Sequence, residues 1–83
     1  MIEYNKIMVE FYEYYGSTFD KNTGKPTMRI GQAFYNYYQN KIFDNKPCPE
    51  LFYCEDGDKA YELIGDILTN YLKNQYTNMI NND

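Results

Sequence analysis

Histidine and tryptophan are missing from this 83-residue chain, and arginine occurs once, at Arg29. Without histidine there is no ordinary general base, no imidazole metal ligand and no Ser-His or Cys-His nucleophile pair. Cysteine is nearly as scarce: Cys48 and Cys54 cannot by themselves complete a four-ligand zinc site. Their Cys-x5-Cys spacing is no redox motif, so two buried, reduced thiols are expected. No metal and no cofactor are expected. No apolar run approaches the roughly 20 residues of a membrane-spanning helix. The start, Met1-Ile2-Glu3-Tyr4-Asn5-Lys6, lacks the basic and then apolar make-up of a secretory signal. The expectation is a cytoplasmic protein with no membrane contact.

What is present is an aromatic, acidic chain. Eighty-three residues make one small domain, and a chain of this length buries only about 60–65% of its unfolded surface. Hydrophobic content of 43%, with 19% aromatic, is enough for a packed core. Tyrosine (11), asparagine (10), isoleucine (7) and lysine (7) are abundant, while alanine (2) is scarce. A+T-rich codons produce that balance without selection on protein chemistry, so part of the tyrosine excess needs no functional cause.

Hydrophobic spacing predicts an all-α bundle of three main helices, at about 2–15, 28–43 and 58–76, with a short helical turn near 49–54. In the first helix Tyr4, Met8, Phe11 and Tyr15 share a face, and Gly16 is placed to end it. Phe11-Tyr12-Glu13-Tyr14-Tyr15 also suits a strand, but segment length favours helix. Residues 16–27 read as a connection pinned by Phe19. Its Asp20-Lys21-Asn22-Thr23-Gly24 run misplaces the glycine of a calcium loop, and Gly24-Lys25-Pro26-Thr27 lacks the upstream glycine of a phosphate loop. Thr27 is the expected N-cap of the second helix, whose apolar face is Ile30, Ala33, Phe34, Tyr37, Tyr38 and Ile42. Gly31 costs that helix about 1 kcal/mol relative to alanine; either another backbone or an aromatic ring approaches closely there, or the position is early enough in the helix to tolerate it. Asp58 or Asp56 caps the third helix, where Ala60, Leu63, Ile64, Ile67, Leu68, Tyr71 and Leu72 recur at helical spacing. The stripe continues through Tyr76, Met79 and Ile80, so residues 74–83 read as a frayed tail or a partner-docking one.

Charge is lopsided. Residues 1–43 carry four acids and five bases, whereas residues 44–83 carry eight acids and three bases. Asp58, Glu62 and Asp66 stand at i, i+4, i+8 on one helix face, a spacing at which like charges weaken a helix. With Asp56 they form a candidate patch for a basic partner, including one that normally holds nucleic acid. Tyr71, Tyr76, Met79 and Ile80 are the apolar candidates for partner contact. Direct nucleic-acid binding is not expected from a net charge of −4 and a single arginine. Acids such as Asp56 and Asp58 leave carboxylate catalysis as the one enzymatic option, without a motif to support it.

Arg29-x-Gly31-Gln32-Ala33-Phe34-x-Asn36, followed by Phe52-Tyr53-x-x-Asp56, resembles a pattern in short helical proteins of bacteria and their phages. The resemblance spans roughly residues 28–65 and implies a compact helical domain with no assigned activity. It makes Arg29, Gln32, Asn36, Phe52 and Tyr53 candidate structural clips: Gln32 and Asn36 bonding the Phe52-Tyr53 backbone, and Arg29 pairing with an acid near Asp56. In size, charge and composition the chain is also similar to small acidic phage inhibitors of host defence. The leading expectation is a non-catalytic phage or mobile-element accessory protein that binds and inhibits a host protein, with DNA mimicry as one route. The alternatives are a self-associating homodimer built on Leu72, Tyr76, Met79 and Ile80, and a carboxylate enzyme.

Overall fold

Apolar residues at helical spacing become the buried seams of four helices in the computed structural model, which describes residues 2–81 and the side chains of residues 3–77. The helices are α1 (Ile2–Ser17), α2 (Ile30–Tyr38), α3 (Pro49–Phe52) and α4 (Gly57–Asn81). No strand occurs among the described residues, and the molecule is an all-α bundle. Met8 and Phe11 of α1, Ala33, Phe34 and Tyr38 of α2, Leu51 of α3, and Ala60, Ile64 and Leu68 of α4 form one buried core. Each fully buried Phe, Leu or Ile contributes about 1.5–3 kcal/mol relative to an exposed position. The aromatic rings interlock: Phe11 meets Phe34 edge-on with centroids 5.1 Å apart, and Tyr14 stacks on Tyr37 at 4.3 Å.

Helix boundaries differ from the sequence expectation at several points. Gly16 does not stop α1, because a glycine facing solvent tolerates helical geometry. The stop comes one residue later, where the Ser17 and Thr18 hydroxyls donate to the Tyr14 and Tyr15 carbonyls at 2.6 Å each. Phe19 then packs edge-on against Tyr15. The Asp20–Lys25 turn closes on itself: Asp20 Oδ1 accepts from the Asn22 and Thr23 amides, and Gly24 takes φ of +71°.

Thr27 is not the cap of α2. Its hydroxyl donates to the Thr18 carbonyl at 2.6 Å, tying the two ends of the loop together. Arg29 occupies the N-cap with extended backbone and no capping side chain. At the far end α2 stops at Tyr38 instead of reaching Phe43. The amides of Lys41, Ile42 and Phe43 converge on the Tyr38 carbonyl, and Asp44 and Asn45 adopt left-handed φ of 52° and 61°. The turn still delivers the apolar residues, with Phe43 packed against both Phe34 and Tyr35.

Asp56, not Asp58, caps α4: its Oδ1 accepts from the Asp58 and Lys59 amides at 3.0 and 3.3 Å. α4 runs to Asn81, past the expected end at residue 76. Tyr71 and Leu72 still touch the core, whereas residues 73–77 are exposed. The chain measures 52 × 24 × 21 Å.

Candidate functional site

The sequence of α4 separates two rows of residues. Ala60, Ile64 and Leu68 are buried; Asp58, Glu62 and Asp66 sit two positions earlier, about 200° around the helix, and are all exposed. Among the described residues no lysine or arginine forms an ion pair with any of the three. Asp56 lies at the head of the row and spends one carboxylate oxygen on the helix cap. Tyr71 is half-buried and accepts a hydrogen bond from Gln75 Nε2 at 2.7 Å, while Tyr76 is 65% exposed. The expected contacts at Met79 and Ile80 fall on side chains outside the described residues.

The tyrosines divide by position. Tyr38 is buried and donates to the Ile7 carbonyl at 3.0 Å, tying α2 to α1. Tyr15 donates to Met28 O and Tyr35 to Lys46 O, so both fasten loops to helices. Tyr37 donates to Glu10 Oε1 at 3.0 Å while stacked on Tyr14. Five phenols, Tyr12, Tyr37, Tyr53, Tyr61 and Tyr76, present large exposed surfaces. Tyr12 lies beside Tyr61 across the α1–α4 seam. Partial burial, reinforced by the Tyr61 and Tyr4 phenols, pushes its pKa up to about 12. Burial, aided by Glu10 and Tyr37, also raises Tyr38, and burial raises Tyr15. Tyr37 rises chiefly through its bond to Glu10.

Arg29 turns back from the N-cap of α2 onto α3. Its Nε and Nη2 donate to the Phe52 carbonyl at 3.3 and 3.0 Å. The partner is thus a main-chain oxygen instead of an acid near Asp56. Two residues further on, a β-carbon at Gly31 would overlap the Leu51 carbonyl oxygen, so glycine alone lets α2 approach α3 this closely. Gln32 is half-buried and lines a groove, and Asn36 is exposed; neither is bonded to the Phe52-Tyr53 backbone. Tyr53 is 67% exposed, its ring edge-on to Phe52. The structure therefore brings Arg29 to Phe52 and leaves Gln32, Asn36 and Tyr53 outside that contact.

Two hollows flank this junction. The larger is an open groove of about 480 Å³, with Tyr15, Met28, Arg29, Ile30, Gln32 and Glu55 in its lining. The smaller, about 190 Å³, is framed by Tyr35, Pro47, Phe52 and Tyr53. Cys54 lines the first and Cys48 the second; both thiols are free and half-buried instead of fully buried. Among the described residues no group of three Cys, Asp or Glu side chains is placed to hold a metal ion. Among the described residues no helix is long and apolar enough to cross a membrane.

The sequence reading missed the groove and the Tyr12–Tyr61 contact. Both join residues more than 20 positions apart in the chain, and neither has a spacing signal. No protein-family model, no curated protein and no solved structure matches the chain.

Proposed function

We propose that this chain is a non-catalytic protein-binding domain whose principal contact surface is the acidic side of α4. One observation carries the reading: Asp58, Glu62 and Asp66 are exposed in a row opposite the buried Ala60-Ile64-Leu68 row, with no basic partner among the described residues. Asp58 in the first turn suits the helix N-terminus, but Glu62 and Asp66 follow it at a like-charge spacing that weakens a helix, so helix stability does not account for the row. A partner with a basic surface gains from meeting them, and Tyr61 on the same helix, 49% exposed, adds aromatic area with a hydroxyl. Within this class the role is inhibition: the acidic row occupies a host surface built for nucleic-acid phosphates. The phage or mobile-element origin belongs to the same proposal, resting on size, charge and the Arg29–Asp56 pattern. The test is affinity capture from host lysate with wild type and the Asp58→Lys/Glu62→Lys/Asp66→Lys variant in parallel, over a salt series. A captured protein lost in the variant and released as salt rises supports the reading; capture indifferent to both changes overturns it.

A second reading has its own observation. α4 continues to Asn81 although residues 73–77 have left the core, and Tyr76 is exposed. This segment, with Tyr76 exposed on it and Leu72 at its base, suits pairing with a second copy. Sedimentation of the full chain should then give a dimer and truncation after Lys73 a monomer, whereas a monomeric full chain removes this reading.

A further inference from the structure

The groove beside Arg29 has features that the α4 surface does not explain. Tyr15, Met28 and Ile30 give it an apolar lining, and Gln32 and Arg29 supply polar groups. Its volume of about 480 Å³ lies within the range of small-ligand sites, roughly 300–1,000 Å³. Arg29 is the only arginine in a chain with twelve acids, yet among the described residues none of them pairs with it. The two bonds to Phe52 O fix the guanidinium plane and leave the Nη1 donors unused. A half-buried guanidinium held in place before a ligand arrives loses little freedom on binding.

We propose that this groove binds a carboxylate carried on an apolar body, with the Nη1 edge of Arg29 as the anchor and the Tyr15-Met28-Ile30 surface receiving the apolar part. Gln32, half-buried and without a hydrogen-bond partner among the described residues, supplies a second donor through its amide. The positive end of α2, opening at Ile30 without a capping side chain, adds to the attraction. Glu55 in the same lining opposes a second negative charge, which favours a carboxylate over a phosphate dianion. The carboxylate can belong to a small aromatic acid or to the C-terminus of a peptide.

The test uses the full chain, 15N-labelled, titrated with 3-phenylpropionate and, in parallel, with neutral 3-phenylpropanamide. The acid should shift Arg29 Nε–H and the amides of Ile30, Gly31 and Gln32, and the neutral amide should not. Gln32→Glu places a like charge in the groove without touching the Arg29–Phe52 contact, and should weaken binding about tenfold. Glu55→Gln should strengthen it. A second pair of probes, N-acetyl-Ala-Phe with a free or an amidated C-terminus, separates the sources: tighter binding of the peptide acid than of 3-phenylpropionate assigns the site to a peptide terminus, and the reverse to a small acid. Equal shifts from acid and neutral amide, or affinity unmoved by both Gln32→Glu and Glu55→Gln, overturn the proposal. It does not rest on the α4 reading: Glu62→Lys/Asp66→Lys should leave 3-phenylpropionate binding unchanged.

Discussion

The main-chain oxygen of Leu51 fills the space that a β-carbon on Gly31 would need. Two opposed terms therefore act on Gly31→Ala. Helix propensity favours alanine by about 1 kcal/mol. Against that, the obstruction is backbone, which cannot rotate away as a side chain can, so α2 and α3 must separate around the buried Leu51. The steric effect wins, and Gly31→Ala should lower stability by about 2–4 kcal/mol, in the range of overpacked or disrupted cores. Gly16→Ala is the control, because nothing lies within 4 Å of its β-position inside α1. It should raise stability by about 0.5–1 kcal/mol. Urea denaturation followed by circular dichroism measures both, and a shared sign would sink the account.

Leu51 is the one fully buried residue of α3. Replacing it by alanine should cost about 2–5 kcal/mol, as for other large-to-small core changes. Tyr53→Ala, two residues away on an exposed ring, should cost less than about 1 kcal/mol. Thermal melts of the two variants should be well separated; overlapping melts would show that α3 is not held by Leu51.

Alkaline pH should unfold the protein, with a sign fixed by the phenols. Tyrosine in an unfolded chain ionises near pH 10. In the fold Tyr12 is pushed up to about 12, and Tyr15, Tyr37 and Tyr38 are also raised. A raised pKa means the folded state holds its proton more tightly. That stabilisation is complete below pH 10 and is lost as pH rises from there through the folded values. Phenolate absorbance near 245 nm should accordingly rise in two phases, the later one coinciding with loss of helical circular dichroism. Tyr38→Phe removes the bond to Ile7 O and should cost about 1 kcal/mol at neutral pH. It should also make the decline above pH 10 shallower, because one titrating group is gone.

Reversing the middle charge of the acidic row should strengthen the helix. Glu62→Lys sits four residues from both Asp58 and Asp66, converting two repulsions into two attractions worth about 0.2–0.5 kcal/mol each, against one attraction lost to Lys59 three residues before it. A small rise in melting temperature at low salt, shrinking as salt is added, is the expected result. A fall would show that Glu62 makes a stabilising contact.

The repeating parts of this structure were readable because period and burial coincide. Tyr4, Met8, Phe11 and Tyr15 define the inner side of α1 by spacing alone, and the two rows of α4 separate by simple rotation. The second helix shows where such reading stops. Ile42 and Phe43 continue an apolar pattern, yet they reach the core through a turn, since left-handed Asp44 and Asn45 end what spacing would prolong. Thr27 looked like a cap by residue type, but its hydroxyl had a better-placed acceptor across the loop at Thr18. The groove was illegible for a different reason: Tyr15, Arg29 and Glu55 come from three segments, and only the completed packing makes them neighbours. Of the acidic row, the sequence supplied the alignment, and its solvent exposure required the fold.

Cys48 and Cys54, on either side of α3, line different hollows. The chain thus carries two separately addressable handles in its native sequence. A fluorophore or spin label on Cys54, with Cys48→Ser as background, watches the Arg29 groove; the converse label watches the Tyr35–Phe52 hollow. Ligand arrival at one can then be followed while the other serves as an internal reference.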